Sequence, residues 1–421
     1  MPPRLTLRVL AAYVSPHLRR TISLIRENGR SKGATIQRPR TALVALLSGV
    51  VLALSASNVI ANPQISSASS NAAPTRIADA WFAHNAVLAM LGASDHVVLT
   101  VARPETFRWM YRVAPGFNRA LSIDGSTLNA EELLRLHTQL VFATPNVPVL
   151  GALKRAGLNV VPVDFDDFDS MLQCIDLTAN ALKTPQAHAQ ASAYATYLRA
   201  TLAQTSASLA APPPSARASR MAMRRPDAAS ANGQTAVESQ GGSPVSGAVN
   251  ANDSLVRPTV LHIASLRPLK VDGADTIVDE WIQAAGGVNA AVGLDGNLKT
   301  VSIEQILAWH PDVIILAANA GDIAQSPDAA LWNTLDAVRS HRVYRNPAGV
   351  FPWDRYGPEV ALQVRWAAQT LHPEQFSHAP DGSLLQQTQA FYKQFFHYTL
   401  SRDDAKRMLA GLAPDAPLPR P

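Results

Sequence analysis

Short apolar runs alternate with helical stretches in the first half of the chain. Three runs, of about seven residues each, have the length and apolar character of buried strands: HVVLTVA (96–102), QLVFATP (139–145) and NVVPVDF (159–165). Between and before them, NAVLAMLG (85–92) and AEELLRLH (130–137) place apolar residues at helical spacing. Strands that alternate with helices in this way predict an α/β fold with a parallel central sheet.

A second series of the same kind begins near residue 258. Its predicted strands are TVLHIAS (259–265), DVIILAAN (312–319) and HRVYRNP (341–347), and its predicted helices include TIVDEWIQAAGG (276–287), IEQILAWH (303–310) and PEVALQVRWAAQTL (358–371). Glu131 and Glu304, 173 residues apart, each begin the same layout of an acid, an amphipathic helix and a buried strand. The pattern predicts two similarly built lobes, residues 76–176 and 258–376.

The segments around the lobes differ in composition. Residues 177–209 are rich in alanine with few breakers, which predicts one long helix between the lobes. Residues 210–257 have almost no large apolar side chains, so we expect a disordered insertion that cannot bury enough surface to offset its ordering entropy. Residues 377–421 are expected to form a helical extension and tail.

The net positive charge of the chain comes from its first 61 residues. The formal net charge is +5, but residues 1–61 hold nine of the 37 basic side chains and one of the 32 acidic ones, so the remainder is acidic. A nucleic-acid partner is therefore not expected. The apolar run TALVALLSGVVLAL (41–54) follows the basic region and is too short to span a bilayer comfortably. It predicts a signal peptide cleaved after Ala61, followed by a flexible spacer (62–75).

Cysteine usage agrees with an exported protein. The chain has a single cysteine, Cys174, so it forms no internal disulfide, and no cysteine follows the apolar run to carry a lipid. We expect a protein of the periplasm of a Gram-negative bacterium.

Several motifs, taken in their order along the chain, resemble one family. They are RIADAWFAHNAVLAMLGA (76–93), GGVNAA (286–291), IEQILAWHPDVIIL (303–316), the last lobe helix with its LHPEQF ending, and FYKQFFHYTLSRDDAKRML (391–409). Together they resemble the periplasmic substrate-binding proteins of ABC importers for iron–siderophore complexes, haem and cobalamin. The first motif departs from the family at Phe82 and at Asn85-Ala86. The resemblance implies two Rossmann-like lobes joined by a rigid helix, with a ligand cleft between them.

The resemblance places candidate ligand residues on loops that follow strands and face the cleft. The second lobe offers the segment VFPWDRYG (350–357). An arginine supplies a planar charged fork, and aromatic rings supply flat apolar faces. The candidates are Trp81, His84, Arg103, Asn146 and Asp164 (or Asp166) of the first lobe, and Trp353, Arg355 and Tyr356 of the second. Arg108 and Arg112 add to the case for an anionic or carboxylate-bearing ligand.

Each candidate has a structural alternative. Trp353 could cap the core of its lobe, Arg355 could pair with Asp354 or Glu359, and His84 could cap a helix. The run DFDDFDS (164–170) is acidic, but adjacent acids on one loop point apart, so helix capping is favoured over a cation site and no metal site is predicted.

The resemblance also implies partners. A glutamate at the start of a helix on the outer surface of each lobe engages arginines of the permease in this family, and Glu131 and Glu304 match those positions, with Glu132 as a fallback. The partners would be an ABC permease with its cytoplasmic ATPase and a small-molecule metal complex, bound by a monomer without a resident cofactor.

The expected function is capture without chemistry. Nucleophile-elbow, zinc-protease and phosphate-loop motifs are absent from the sequence. A secreted α/β enzyme and a scaffold with a degenerate cleft stay open as alternatives. A ferric siderophore leads as cargo, with haem, cobalamin, a nickel or cobalt chelate and molybdate behind.

Overall fold

The computed structural model describes residues 75–125, 128–211, 256–376 and 383–418. The predicted signal peptide, all but the last residue of the predicted spacer, and residues 212–255 of the predicted insertion lie outside these ranges. No helix within the described ranges is both long enough and apolar enough to cross a membrane.

The first lobe contains a five-stranded parallel sheet in the order β3-β2-β1-β4-β5. Its strands are β1 (Ile77–Asp79), β2 (Val97–Thr100), β3 (Leu121–Ser122), β4 (Leu140–Ala143) and β5 (Val160–Pro162). The predicted parallel sheet is confirmed, and the three predicted strands of this half correspond to β2, β4 and β5. Because all five strands run in one direction, their carboxyl ends lie at one edge of the sheet.

Helices connect these strands and continue after the sheet. They are α1 (His84–Met90), α2 (Arg108–Val113), α3 (Ala130–Arg135), α4 (Leu150–Arg155), α5 (Phe168–Leu182) and α6 (Pro185–Ala210).

The second lobe contains a six-stranded mixed sheet in the order β11-β10-β6-β7-β9, with β8 also paired to β6. Its strands are β6 (Thr259–Leu266), β7 (Leu269–Val271), β8 (Val288–Asn289), β9 (Lys299–Thr300), β10 (Val313–Leu316) and β11 (Val343–Arg345). The pairs β11-β10, β10-β6 and β6-β8 are parallel. The pairs β6-β7 and β7-β9 are antiparallel, so a hairpin that the sequence did not predict extends the sheet.

The helices of the second half complete the fold. They are α7 (Ile277–Ala284), α8 (Ile303–Trp309), α9 (Ala329–Trp332), α10 (Asp336–Arg339), α11 (Val360–Leu371), α12 (Leu384–Phe395) and α13 (Arg402–Leu409). The predicted α/β fold with two lobes is confirmed.

The prediction of one unbroken helix over residues 177–209 is wrong. Helix α5 ends at Leu182, and its C-cap Lys183 has a left-handed backbone (φ 57°). Helix α6 begins after the N-cap Thr184, whose side chain accepts a hydrogen bond from the amide of Ala187. Pro185 occupies the first turn of α6. Proline has no N–H and clashes with the carbonyl four residues earlier, so a helix cannot continue through this position. Helix α6 alone, with 26 residues, is the long connecting helix.

Helix α6 packs against both halves. One continuous apolar cluster contains Phe142 of the first lobe, Tyr194 and Leu198 of α6, and Trp281 and Val364 of the second lobe. The hydroxyl of Tyr194 donates to the carbonyl of Pro358 at 2.8 Å, just ahead of α11. The lobes therefore share a core along α6.

Residues 383–418, which we call the C-terminal extension, bridge the lobes a second time. The indole of Trp109 in α2 donates to the carbonyl of Leu412 at 2.8 Å, and Arg112 of α2 contacts Asp404 at 3.0 Å. On the other side, the amide of Ala348 in the second lobe donates to the carbonyl of Met408 at 3.0 Å. The chain thus connects its two lobes through α6 and again through its last helices.

Candidate functional site

Aromatic rings of both lobes meet at the carboxyl edge of the first sheet. Trp81 follows β1 and Phe165 follows β5, and their ring centroids lie 5.3 Å apart. Tyr356, from the second-lobe loop ahead of α11, lies 5.9 Å from Trp81 and 5.6 Å from Phe165. Rings at such distances and tilts contribute contact energy beyond simple area burial. The structure therefore brings together Trp81 and Tyr356, two of the candidates predicted from opposite lobes.

A second group of aromatic rings includes Phe82, the residue after Trp81. Phe82 and Phe107 of the first lobe and Phe351 of the second form mutually stacked pairs with centroids 5.6–6.0 Å apart. Phe82 is 46% exposed although it stacks on two other rings. Sequence reasoning did not select these three residues. The signal was present at Phe82, where an aromatic ring departs from the family pattern.

The loop that carries Tyr356 is shaped by a buried glutamate. The carboxylate of Glu359 accepts hydrogen bonds from the amides of Val350 at 2.7 Å and Phe351 at 2.8 Å, and also from the hydroxyl of Tyr392. Burial raises the pKa of Glu359 to about 7, although these hydrogen bonds lower it. Glu359 thereby folds the start of the loop back toward α11.

Two candidates lie in the core. Trp353 has no exposed surface and belongs to the main apolar cluster. This agrees with the alternative that Trp353 caps the core of its lobe. His84 also has no exposed surface, and its Nδ1 and Nε2 lie 3.0 Å from the Asp79 carboxylate and 2.9 Å from the Thr178 hydroxyl. Neither side chain can contact a ligand in this conformation. Both predictions are corrected, because both side chains are buried and both ring nitrogens of His84 already have partners inside the protein.

Arg355 faces the protein more than the cleft. Its two terminal nitrogens each lie 2.9 Å from an oxygen of Asp272, and the arginine side chain is only 15% exposed. The predicted alternative partners were Asp354 and Glu359, so the actual partner was missed. Asp272 lies 83 residues earlier in the chain, and nothing in the sequence pattern pairs the two.

Asp272 belongs to a buried charged chain that sequence reasoning also missed. His262 on β6 has no exposed surface, and its Nδ1 lies 2.8 Å from Asp272 and its Nε2 2.8 Å from Asp354. Burial alone would raise the pKa of Asp272, but His262 and Arg355 hold it well below its usual range. Asp354, His262, Asp272 and Arg355 thus form a continuous row of alternating charge behind the aromatic contact.

The remaining first-lobe candidates are exposed. Arg103 follows β2 and contacts Asp124 at 2.7 Å, an exposed ion pair of small energetic value. Asn146 follows β4 and Asp164 follows β5, and both are exposed. All three follow strands of the same parallel sheet, at the edge where Trp81 lies. Their contact with a ligand stays a prediction.

The acidic run after β5 caps a helix. The side chain of Asp167 accepts a hydrogen bond from the amide of Ser170, and the Ser170 hydroxyl accepts one from the amide of Asp167, which is a capping box at the start of α5. Within the described ranges, no cluster of three or more His, Cys, Asp or Glu residues could hold a metal ion.

The two glutamates proposed from the sequence as docking groups occupy matched positions. Glu131 is the second residue of α3, whose N-cap is Asn129, and Glu304 is the second residue of α8, whose N-cap is Ser302. Both glutamates are exposed. A hydrogen bond with Ser302 lowers the pKa of Glu304, so that side chain is firmly anionic. A negative charge in the first helical turn also favours each helix.

Comparison with known proteins supports the resemblance. Residues 237–349 match a family sequence model described as periplasmic binding protein. A molybdate-binding protein of Haemophilus influenzae, MolA, is 28% identical over 128 residues, which cover 30% of this chain and 36% of that protein. The aligned region thus spans about a third of that relative.

Solved structures share the fold over a larger part of the chain. A periplasmic solute-binding protein of Veillonella parvula has a TM-score of 0.60 at 24% identity, over 80% of this chain and 91% of that one. MolA of Haemophilus influenzae bound to molybdate has a TM-score of 0.57 at 20% identity, over 78% and 94%. CeuE of Helicobacter pylori with Ni(II) bound has a TM-score of 0.55 at 16% identity, over 80% and 95%.

At these identities the structural likeness establishes the fold alone. The matched sequence model and these relatives are those of solute-binding proteins, not of enzymes. Motifs, sheet topology and comparisons agree: this chain resembles the periplasmic binding proteins, whose family model matches residues 237–349.

Proposed function

We propose that this chain is the solute-capturing component of an ABC importer and binds its cargo between the two lobes. The observation that carries the proposal is the aromatic contact of Trp81 and Phe165 with Tyr356, because it unites loops of both lobes at the carboxyl edge of the first sheet. Open α/β sheets bind ligands at that edge. Small hinge movement around α6 would open the contact and admit a solute.

The leading cargo is an iron complex of the siderophore type. Rings from both lobes offer flat apolar surface to the organic shell of a chelate. Arg355, the cation predicted to hold an anion, is already neutralised by Asp272, which weakens the case for a small oxyanion at that position. Asp164 is exposed and directly precedes Phe165 in the sequence, so it adds a negative charge next to that ring.

Molybdate is the second candidate, and the comparisons favour it. A molybdate-binding relative is 28% identical over 128 residues, and the structure of that protein with molybdate bound shares this fold. Nickel, haem and cobalamin complexes complete the range, because neighbours named for Ni(II), haem and vitamin B12 have related folds.

The proposed setting follows from the same family. The protein would be exported by its N-terminal signal peptide, act in the periplasm as a monomer and deliver cargo to a permease with its cytoplasmic ATPase. We propose Glu131 and Glu304 as the docking groups, supported by their matched, exposed positions at the starts of α3 and α8. Each ion pair would contribute about 0–1 kcal/mol and chiefly set orientation.

A titration panel tests cargo and site together. A ferric catecholate, a ferric hydroxamate, sodium molybdate and Ni(II)-histidine would be titrated by calorimetry into the wild-type protein. Trp81→Ala and Tyr356→Ala should each weaken binding of the cognate probe by roughly tenfold or more, since an aromatic contact contributes about 0.5–1.5 kcal/mol beyond its buried area.

Trp309→Ala is the matched control. Trp309 is partly buried in α8 and packs against a separate apolar cluster of the second lobe, so its loss should leave affinity unchanged. If every probe that binds has the same affinity for wild type, Trp81→Ala and Tyr356→Ala, the cargo site lies elsewhere. A preference for molybdate over both ferric complexes would replace the leading cargo with the second candidate.

A further inference from the structure

The buried His262 is held between two carboxylates. Its Nδ1 lies 2.8 Å from Oδ2 of Asp272, and its Nε2 lies 2.8 Å from Oδ2 of Asp354. All three side chains are fully buried. A neutral imidazole has one N–H and one acceptor nitrogen, whereas an ionised carboxylate only accepts hydrogen bonds. Two carboxylates on one ring therefore favour the imidazolium form.

The surroundings of Asp272 fix the direction of one of these bonds. Its Oδ1 accepts from the amide of Leu298 and from Nη1 of Arg355, and its Oδ2 accepts from Nη2 of Arg355, each at 2.9 Å. With an arginine fork and an amide already donating, this carboxylate is ionised and accepts the Nδ1 proton of His262. An imidazolium at this position then donates its Nε2 proton to Oδ2 of Asp354.

The charged row leads directly to the interlobe contact. Asp354 and Arg355 are the two residues before Tyr356, and both are held by the row. Asn297 joins them to the ring, because its Nδ2 donates to the Tyr356 hydroxyl while its Oδ1 lies 3.5 Å from Nη1 of Arg355. The position of the Tyr356 ring opposite Trp81 is thus tied to a strand in the middle of the second sheet.

We propose that His262, held as an imidazolium between Asp272 and Asp354, is a positioning residue for the cargo site: it fixes the loop so that Tyr356 faces the first lobe. The inference rests on the proposed function only in treating that surface as the cargo site. A buried ion network adds little net stability compared with apolar packing, while the loss of one partner is costly. Such a network can fix the geometry of a binding loop through directional hydrogen bonds, which apolar side chains do not form.

The groups that face His262 determine its pH response. Asp272 faces it from the turn after β7, Asp354 from the loop ahead of α11, and the uncharged ring of Trp281 from α7 at 6.0 Å. Arg355 lies behind Asp272. Burial lowers the pKa of His262, but the hydrogen bonds and charges of the two carboxylates outweigh it and raise the pKa above its ordinary value. Only when pH rises through that raised pKa does the ring lose a proton and one hydrogen bond.

Two measurements test the positioning role without any ligand. Nitrogen NMR of histidine-labelled wild-type protein should show both ring nitrogens of His262 protonated at neutral pH, where a free histidine is mostly uncharged. His262→Gln should shift the fluorescence emission of Trp81, because Gln carries no charge and has donors on one nitrogen only, whereas the imidazolium donates from two ring nitrogens to two carboxylates. Trp81→Phe in both backgrounds identifies the emission of Trp81.

A His262 ring that is uncharged at neutral pH overturns the proposed charge state, and an unchanged Trp81 emission in His262→Gln overturns the positioning role. The wild-type NMR measurement decides the first point even if the variant does not fold. Ile306→Ala is the control for general destabilisation, because Ile306 lies in the separate apolar cluster of the second lobe. It should lower the melting temperature and leave Trp81 emission in place.

Binding measurements then test whether the charged row affects the affinity for cargo. The probe that binds the wild-type protein should bind His262→Gln at least tenfold more weakly, while Ile306→Ala keeps wild-type affinity. Equal weakening in both variants would assign His262 a purely stabilising role. If no probe binds the wild-type protein, the proposed cargo class fails, whereas the NMR and fluorescence measurements still decide the role of His262.

Discussion

Replacement of Glu359 by Gln separates two opposing effects on a fully buried carboxyl group. The carboxylate accepts hydrogen bonds from two backbone amides and a tyrosine hydroxyl, which favours ionisation. Burial acts against ionisation and raises the pKa to about 7. The Gln side chain has nearly the same shape but offers only one acceptor oxygen, so at least one buried donor loses its partner. In acid, where Glu359 is uncharged, we expect Glu359→Gln to be less stable by about 1–3 kcal/mol.

The sign of the pH dependence follows from the raised pKa. Below the unfolded-state pKa, near 4.5, Glu359 is protonated in both states and its titration has no effect. Between that value and about 7 the unfolded chain ionises while the folded protein retains its proton, so wild-type stability falls as pH rises. A shift of this size corresponds to about 3 kcal/mol, at about 1.4 kcal/mol per pH unit. Relative to Glu359→Gln, wild type should therefore lose about that much stability from pH 4.5 to 7.5, so that the variant becomes as stable as wild type or more stable.

Urea unfolding followed by circular dichroism, at several pH values across this range, measures the difference. Glu131→Gln is the matched control, because Glu131 also lies at a helix start but is exposed. This exposed substitution should change the free energy of unfolding by about 0.5 kcal/mol or less. If the gap between wild type and Glu359→Gln widens as pH rises, the hydrogen bonds outweigh burial and the reasoning is refuted.

Three further changes test other parts of the structure. Gly349→Ala should destabilise by about 1–3 kcal/mol or more, as seen in urea unfolding, because its methyl group would overlap the Tyr392 hydroxyl; a neutral effect would contradict the loop geometry. Reversing Glu131 and Glu304 together to Arg should abolish uptake in cells while calorimetry shows unchanged affinity, and an equal loss of affinity would exclude a docking role. Arg112→Ala should speed hydrogen exchange in α13 by roughly fivefold, about 1 kcal/mol, and unchanged exchange would show that its ion pair is dispensable.

The order of strands and helices could be predicted because each depends on local patterns. The apolar runs that became β4 and β10 are buried at every position, and the residues at the starts of α3 and α8 carry their own capping signals. The break at Pro185 was also visible, but the alanine-rich composition around it was given too much weight. The antiparallel strand β7 was missed because it has only three residues and follows β6 after a tight turn.

The site could be predicted only in part. Its location followed from the carboxyl ends of the parallel strands, and Trp81 and Tyr356 stood out as aromatic residues in polar loops. Partners remote in the chain could not be assigned, since no periodicity relates His262 to Asp354 or Arg355 to Asp272. Burial of Trp353 depends on the C-terminal helices packed nearby, which a reading of its own loop does not reveal.

The contact between α2 and the C-terminal extension has a consequence for biosynthesis. Arg108 pairs with Asp415, a residue 307 positions later in the chain. The first lobe can form its sheet early during synthesis, but one of its surfaces stays uncovered until the C-terminal extension has been made. Removal of residues 411–418 should therefore expose a surface of the half of the protein that is synthesised first.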